Sequence, residues 1–159
     1  ERKLTGAMLV LAGAAQALRV SRWGGHRTFA DPLVVVLHVG YAWVVVGLVL
    51  LGLSVAGYDL PQSAGVHALT AGAMTTMILA VMTRASLGHT GRDLKASKTT
   101  VAAYVCVTTG ALLRVAASLG IGIYYAMVDV AGTFWAVALI LFLIVYRPIL
   151  WSPRLGEKS

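Results

Sequence analysis

The chain has 159 residues, of which 58% are hydrophobic and only 12% charged, and its mean hydropathy is +0.82. That composition excludes an ordinary soluble domain and predicts an integral membrane protein. The formal net charge is +7, yet the basic residues gather in connections and at the ends of apolar runs, where they orient a chain against a bilayer. No nucleic-acid partner is expected, because no basic stripe lies on a soluble face.

After Glu1, Arg2 and Lys3, a first apolar run extends from about Leu4 to Val20. It reads as a span and not as a signal peptide, since no small-residue cleavage site precedes a polar mature domain. Without an initiator methionine, the expectation is a processed chain or a piece of a longer one. A basic connection follows, with Arg19, Arg22, His26 and Arg27, loosened by Gly24 and Gly25. The second run opens at Asp31-Pro32, an acidic residue and a proline of the kind that start helices, and continues to about Gly57. A short link, Tyr58 to Gln62, leads into the stretch around which the chain is organised.

That stretch runs from His67 to Arg92, and its first part is apolar for long enough to cross a bilayer. Ala64, Ala68, Gly72, Thr76 and Ala80 form an unbroken row of small side chains along one helical face. Lipid supplies no hydrophobic drive between helices, so close packing must hold a bundle together, and such a row permits it. A second face carries His67, Ala71, Met74 and Ile78. The helix is therefore expected inside the bundle, its histidine facing protein or a cofactor.

The most polar stretch follows, Arg84 to Lys98, holding Arg84, His89, Arg92, Lys95 and Lys98 against Asp93 alone. A fourth run spans about Thr99 to Leu119 and a fifth about Ile121 to Tyr146, joined by a turn of a few residues. Arg147, Pro148 and a polar tail close the chain. Cys106, the single cysteine, lies in the fourth run, so no intrachain disulfide and no Cys-x-x-Cys-His haem attachment can form, and a buried structural thiol is expected. The prediction is an all-α bundle of five transmembrane helices forming one domain over 1–159, each near the ~20 residues that a ~30 Å hydrocarbon core demands. The connections after the first, third and fifth helices are basic, whereas those after the second and fourth carry Asp59 and no basic residue. The positive-inside rule then puts the C-terminus in the cytoplasm and the N-terminus on the other side, with Arg2 and Lys3 as contrary signals.

Depth follows from the ~1.5 Å rise per residue. His38 lies roughly 8 Å into the second helix, and His67 about as far into the third from the opposite end, so the two are separated by about 15 to 20 Å. They are poor candidates for the two axial ligands of one iron. Arg114 and Asp129 fall at similar depth on the hairpin of helices four and five, where an ion pair would offset part of the ~2.5 to 3.5 kcal/mol that each charge costs at mid-bilayer. His67 lies at that level too, with Tyr124, Tyr125 and Trp135 nearby in sequence, which predicts a polar pocket in the outer half. The inner half has His26, Arg27, His38, Arg84, His89 and Arg92. Neutral imidazole ligates haem iron or copper, and guanidinium forks suit haem propionates. Basic residues at a membrane surface equally need no ligand to explain them, and a lone intramembrane histidine can simply join two helices. Met74, Met77 and Met82 are soft enough for copper, but core packing accounts for them more cheaply.

The run HALTAGAMTTMILAVMTRASLGHTGR, with RWGGHRT and LHVGYAW, resembles the C-terminal half of the NnrS family of bacterial membrane proteins. Members are described as haem- and copper-containing inner-membrane proteins linked to nitric oxide metabolism and the response to nitrosative stress. The resemblance is most specific from about Leu18 to Arg92, and helices four and five agree in hydropathy and in the intramembrane Arg114. Family members are about twice as long and have around twelve helices, which implies a fragment or a short relative, in which any site completed by the N-terminal half would be incomplete. Carried over by position, the resemblance points to His67, His89, His38 and His26 as metal ligands. Arg114, Asp129, Arg84 and Arg92 join His67 and His38 as residues that would contact a cofactor, Arg114 holding a propionate that Asp129 helps to orient.

The resulting expectation is a multi-pass protein of the bacterial inner membrane that binds haem b through histidine, with copper as a second metal. It would act in nitric oxide handling or respiratory electron transport, its other partners being the lipid bilayer, a diatomic gas and neighbouring protein chains. Nothing in the residues shows catalysis. A five-coordinate haem would suit gas binding, and a six-coordinate one electron transfer. Two other classes stand beside this: a cofactor-free subunit stabilising a larger assembly, and half of a transporter with Arg114 and Asp129 lining its path.

Overall fold

Apolar segments that cross a bilayer must satisfy their backbone groups internally, and this chain does so with helices. A computed structural model describes residues 1–25 and 28–155. Among them, five helical spans are long and apolar enough to cross a membrane: Arg2–Ser21, Pro32–Ala56, Gln62–His89, Lys98–Ser118 and Tyr124–Trp151. The first two are α1 and α2. The third span consists of α3 (Gln62–His67), a π-helical segment (Ala68–Met74) and α4 (Thr75–His89), and the last two are α5 and α6. No strand occurs among the described residues. The chain is an integral membrane protein.

Local chemistry sets most helix ends where the sequence places them. Asp31 Oδ1 accepts a hydrogen bond from the Leu33 amide at 3.0 Å, and Pro32 occupies the first helical position of α2, where a missing N–H costs nothing. Gly57 ends that helix with a left-handed φ of 101°, a conformation that glycine adopts without penalty. Ser97 caps α5 by accepting from the Thr100 amide at 3.1 Å. Two boundaries depart from expectation. The helix α4 carries Arg84 and runs on to His89, into the stretch expected as a polar connection. The helix α6 continues past Tyr146 and through Pro148 to Trp151, with the Arg147 guanidinium 4.4 Å from the centre of the Trp151 ring.

The expected row of small residues is the packing seam of the third span: Ala64, Ala68, Gly72, Thr76 and Ala80 are all buried. Against it lies α2. A Cβ at Gly65 would stand 2.6 Å from the Leu51 amide nitrogen, one at Gly47 2.6 Å from the Leu69 side chain, and one at Gly40 2.7 Å from the Met77 sulfur. These approaches fix an antiparallel register in which His67 is level with Val49 on α2. His38 on the same helix is therefore about 17 Å away along the axis at ~1.5 Å per residue, as the sequence predicts. The helix α1 leans on α2 through Gly6 and Gly13, its only buried residues, and α5 pairs with α6 as the expected hairpin. One core cluster gathers Leu79, Val107, Phe142 and Tyr146 from the third span, α5 and α6, together with Leu33 of α2. A second joins Trp43, Ala68, Ala111 and Val115.

Candidate functional site

His67 sits where the third span changes geometry. The regular turns of α3 end at His67, and the π-helical segment begins at Ala68. Within it the Thr70 hydroxyl donates to the Val66 carbonyl at 2.8 Å, and the Thr75 hydroxyl reaches five residues back to the Thr70 carbonyl at 3.1 Å. Small side chains make the wider turn possible: Ala68, Ala71, Gly72 and Ala73 are buried, and a Cβ at Gly72 would stand 2.5 Å from the Trp43 ring. Such interruptions recur at functional sites because they re-aim side chains. Here the expected face of His67, Ala71, Met74 and Ile78 splits, with His67 and Ala71 turned toward α5 and α6 while Met74 is exposed.

A cleft of about 280 Å³ opens beside His67, walled by Thr70 and Ala71 of the π segment, Gly110 and Arg114 of α5, and Val128, Ala131, Gly132 and Trp135 of α6. Its walls are apolar except for the imidazole, the Thr70 hydroxyl, the guanidinium and the indole N–H. The Trp135 ring lies against Gly110, where a Cβ would come within 2.7 Å of Cδ1. Its Nε1 is buried with no acceptor among the described residues. Arg114 Nη1 donates to the Tyr124 hydroxyl at 3.4 Å, with the guanidinium carbon 5.9 Å from that ring's centre. The structure thus brings His67, Arg114, Tyr124 and Trp135 together, while Tyr125 points outward, 80% exposed.

The Arg114–Asp129 ion pair does not form. Among the described residues the only ion pair is Lys95–Asp93 at 3.9 Å, and Asp129 is exposed. The depth argument holds, because Gly110 packs against Ala131 and Phe134, which brings Arg114 near the level of Asp129. The azimuth decides against pairing. Residue 128 faces the cleft, and at 3.6 residues per turn its neighbour 129 is rotated by about 100° away from it.

The remaining predicted residues lie elsewhere. His38 is held by its Nδ1, which donates to the Val34 carbonyl at 3.0 Å, and its Nε2 is buried without a partner among the described residues. Trp23 packs edge-on to the ring at 5.7 Å and also meets Tyr41 at 4.7 Å. The Tyr41 hydroxyl in turn donates to Gln16 at 2.5 Å. Arg84 and His89 are exposed, and the half-buried Arg92 reaches only the Thr90 carbonyl, at 3.5 Å. His26 and Arg27 lie outside the described residues. Of the methionines, Met77 packs on Gly40, whereas Met74 and Met82 are exposed, and Cys106 is a half-buried free thiol beside the core.

Comparison with known families settles kinship. A family model described as NnrS protein matches residues 3–154. The chain belongs to the NnrS family. No curated protein and no solved structure matches it. Within this NnrS chain, no group of three or more His, Cys, Asp or Glu side chains is close enough to hold a metal ion among the described residues. The His67 cleft suits a cofactor of a different kind, one that needs a single imidazole, a guanidinium and apolar walls. Those are the contacts that haem makes with its iron ligand, its propionates and its macrocycle. At about 280 Å³ the cleft is at the small end of ligand sites, so a macrocycle seated there would extend past its mouth.

Sequence reasoning named His67, Arg114 and Trp135 of the cleft lining and missed two features. One is the π segment, whose only trace is the cluster of small residues in ALTAGAM. The other is a buried hydroxyl cluster at the opposite end of the bundle, in which Tyr104 bonds Thr83 and Tyr146 bonds Thr100 at 3.2 Å, with the exposed Ser97 bonding Thr100 from outside at 3.0 Å. Threonine and tyrosine in separate apolar runs carry no spacing signal that joins them.

Proposed function

We propose that this NnrS-family chain binds one b-type haem in the His67 cleft and acts in nitric oxide handling within the bacterial inner membrane. The observation that supports it is the pairing, in one apolar cleft between membrane spans, of an imidazole that has no hydrogen-bond partner among the described residues with a guanidinium. His67 would supply the axial nitrogen and Arg114 a counter-charge for a propionate. The Trp135 indole N–H, buried and unpaired, is a further donor at the same wall. Iron in such a site supplies a Lewis-acidic, redox-active centre for a diatomic ligand. Among the described residues His67 is the one imidazole lining the cleft; a haem held by it alone would keep a face open to a diatomic ligand, which is the arrangement suited to gas binding. In the proposed orientation the Asp59 connection and the N-terminus face the exterior, and the basic connections face the cytoplasm.

A second metal is favoured by one further observation. The Nδ1–H of His38 is spent on the Val34 carbonyl, which leaves the Nε2 lone pair free, and this is how a metal-ligating histidine is usually fixed in tautomer and orientation. His38 would be a single ligand for copper, about 17 Å along the axis from His67, and no further metal-ligating group stands with it among the described residues.

The test is a reduced-minus-oxidised spectrum of the detergent-purified chain, with pyridine haemochrome quantification, a carbon monoxide difference spectrum and copper analysis on the same sample. A b-type signal near one per chain, shifted by carbon monoxide, is expected. A folded sample made with haem and copper supply that holds neither would sink the proposal and favour a cofactor-free assembly subunit. Copper retained unchanged in His38→Ala would remove the second assignment alone.

A further inference from the structure

Next to the His67 cleft, along the same seam of the third span, α5 and α6, lies a second and smaller cavity of about 100 Å³. Trp135 lines both. The inner wall of the cavity is made by Leu79, Val107, Ala138 and Phe142, all buried, while Ile78, Met82 and Leu139 on its outer side are exposed on the outside of the bundle, within membrane-spanning segments. The only hydroxyl in its lining is that of Thr75, already donating to the Thr70 carbonyl.

We propose that this cavity is a binding site for a small apolar gas molecule taken from the bilayer, set beside the His67 cleft with the Trp135 indole as the partition between them. Its part in supplying gas to His67 rests on the haem reading; the binding site itself does not. Three physical points carry it. Water needs two to four polar partners to settle in a cavity, and with the Thr75 hydroxyl already engaged the Trp135 N–H is the one unpaired polar group on this wall. The space is nonetheless well above the ~10 to 15 Å³ that a single water requires, and of the same order as an apolar cavity of about 150 Å³ that in another protein stays dry and takes up xenon. Small apolar gases concentrate in hydrocarbon for the reason that apolar surface avoids water, and the exposed side of this cavity is turned to hydrocarbon. The outer wall is built of Ile78, Met82 and Leu139, unbranched at Cβ or flexible except for Ile78, so rotamer changes suffice to admit a molecule of two atoms.

The probe is xenon, applied under pressure to the full-length chain in micelles with deuterated acyl chains and methyl-labelled leucine, valine and methionine. Saturable shifts of the Leu79 and Val107 methyl resonances are expected, and they should be lost in Ala138→Phe, which fills the space from α6. Val107→Leu, a milder filling from α5, serves if the phenylalanine variant does not fold, and should weaken the saturable shift. Shifts that rise linearly with pressure and are the same in wild type and filled variants would overturn the proposal. So would a persistent contact between Leu79 and the acyl chains of a protonated detergent that xenon does not displace, since a lipid tail would then be the occupant. Because xenon uptake needs no haem, a chain that binds xenon but holds no haem defeats the haem reading and leaves this site standing.

Discussion

The His67 cleft and the hydroxyl cluster around Tyr104 are both polar groups placed inside an apolar bundle, and they are resolved in opposite ways. In the cluster, Thr83, Thr100, Tyr104 and Tyr146 are buried and find one another. Phe142 stacks on Tyr146 at 4.8 Å and 15°, so the phenol is fixed by packing as well. In the cleft, the indole N–H is buried with no partner among the described residues, the half-buried imidazole makes no hydrogen bond to them, and the guanidinium has only a long contact to Tyr124. The bundle completes one polar network internally and leaves the other without partners among the described residues, which is the arrangement a ligand would complete. Polar groups paired with each other specify helix packing, and polar groups left facing a cleft specify what binds.

Substitutions should separate the two regions. His67→Ala should abolish haem retention while leaving resistance to unfolding by sodium dodecyl sulfate within about 0.5 kcal/mol, the usual range for a change that disturbs no packing; haem content equal to wild type would place the ligand elsewhere. Arg114→Ala should weaken haem retention roughly tenfold, the weight of one charge-assisted hydrogen bond, measured by haem transfer to an acceptor protein. Lys98→Ala, at the far end of α5, is the control, and equal effects would remove the propionate role. Tyr104→Phe should do the reverse, costing about 1 kcal/mol of stability for a lost buried hydrogen bond with haem content unchanged. A Tyr104→Phe chain that loses haem would show that the two regions are coupled. The smallest effect belongs to Asp129→Asn, expected within about 0.5 kcal/mol and without change in haem, since an exposed carboxylate with no cation beside it has little to lose. A marked loss of haem there would restore Asp129 to the site.

Most of the architecture was legible before any coordinates. Hydropathy and the ~20-residue length of each run gave five spans, Asp31-Pro32 and Gly57 marked the ends of the second helix, and the Ala64 to Ala80 row marked the packing seam. The site was legible in part. His67 and Arg114 were identifiable as intramembrane polar residues at one depth, because depth depends only on rise per residue. Asp129 was assigned to the same pocket on that same ground and does not belong there, since depth says nothing of azimuth. The relation of His38 to Trp23 and Gly25 was hidden as well, because a loop folds back to make it.

By itself, then, the sequence determined what a linear code can carry: that the chain is membrane-embedded, how many spans it has and roughly where they lie, which face of the third span packs, and how far His38 stands from His67. Only the tertiary structure decided which polar side chains meet. Helix rotation is set by side chains from several segments packing at once, and a single π turn is enough to shift it. That is why Arg114 turns to Tyr124 and not to Asp129, why Tyr104 and Tyr146 find threonines on other helices, and why the cavity next to Trp135 exists at all.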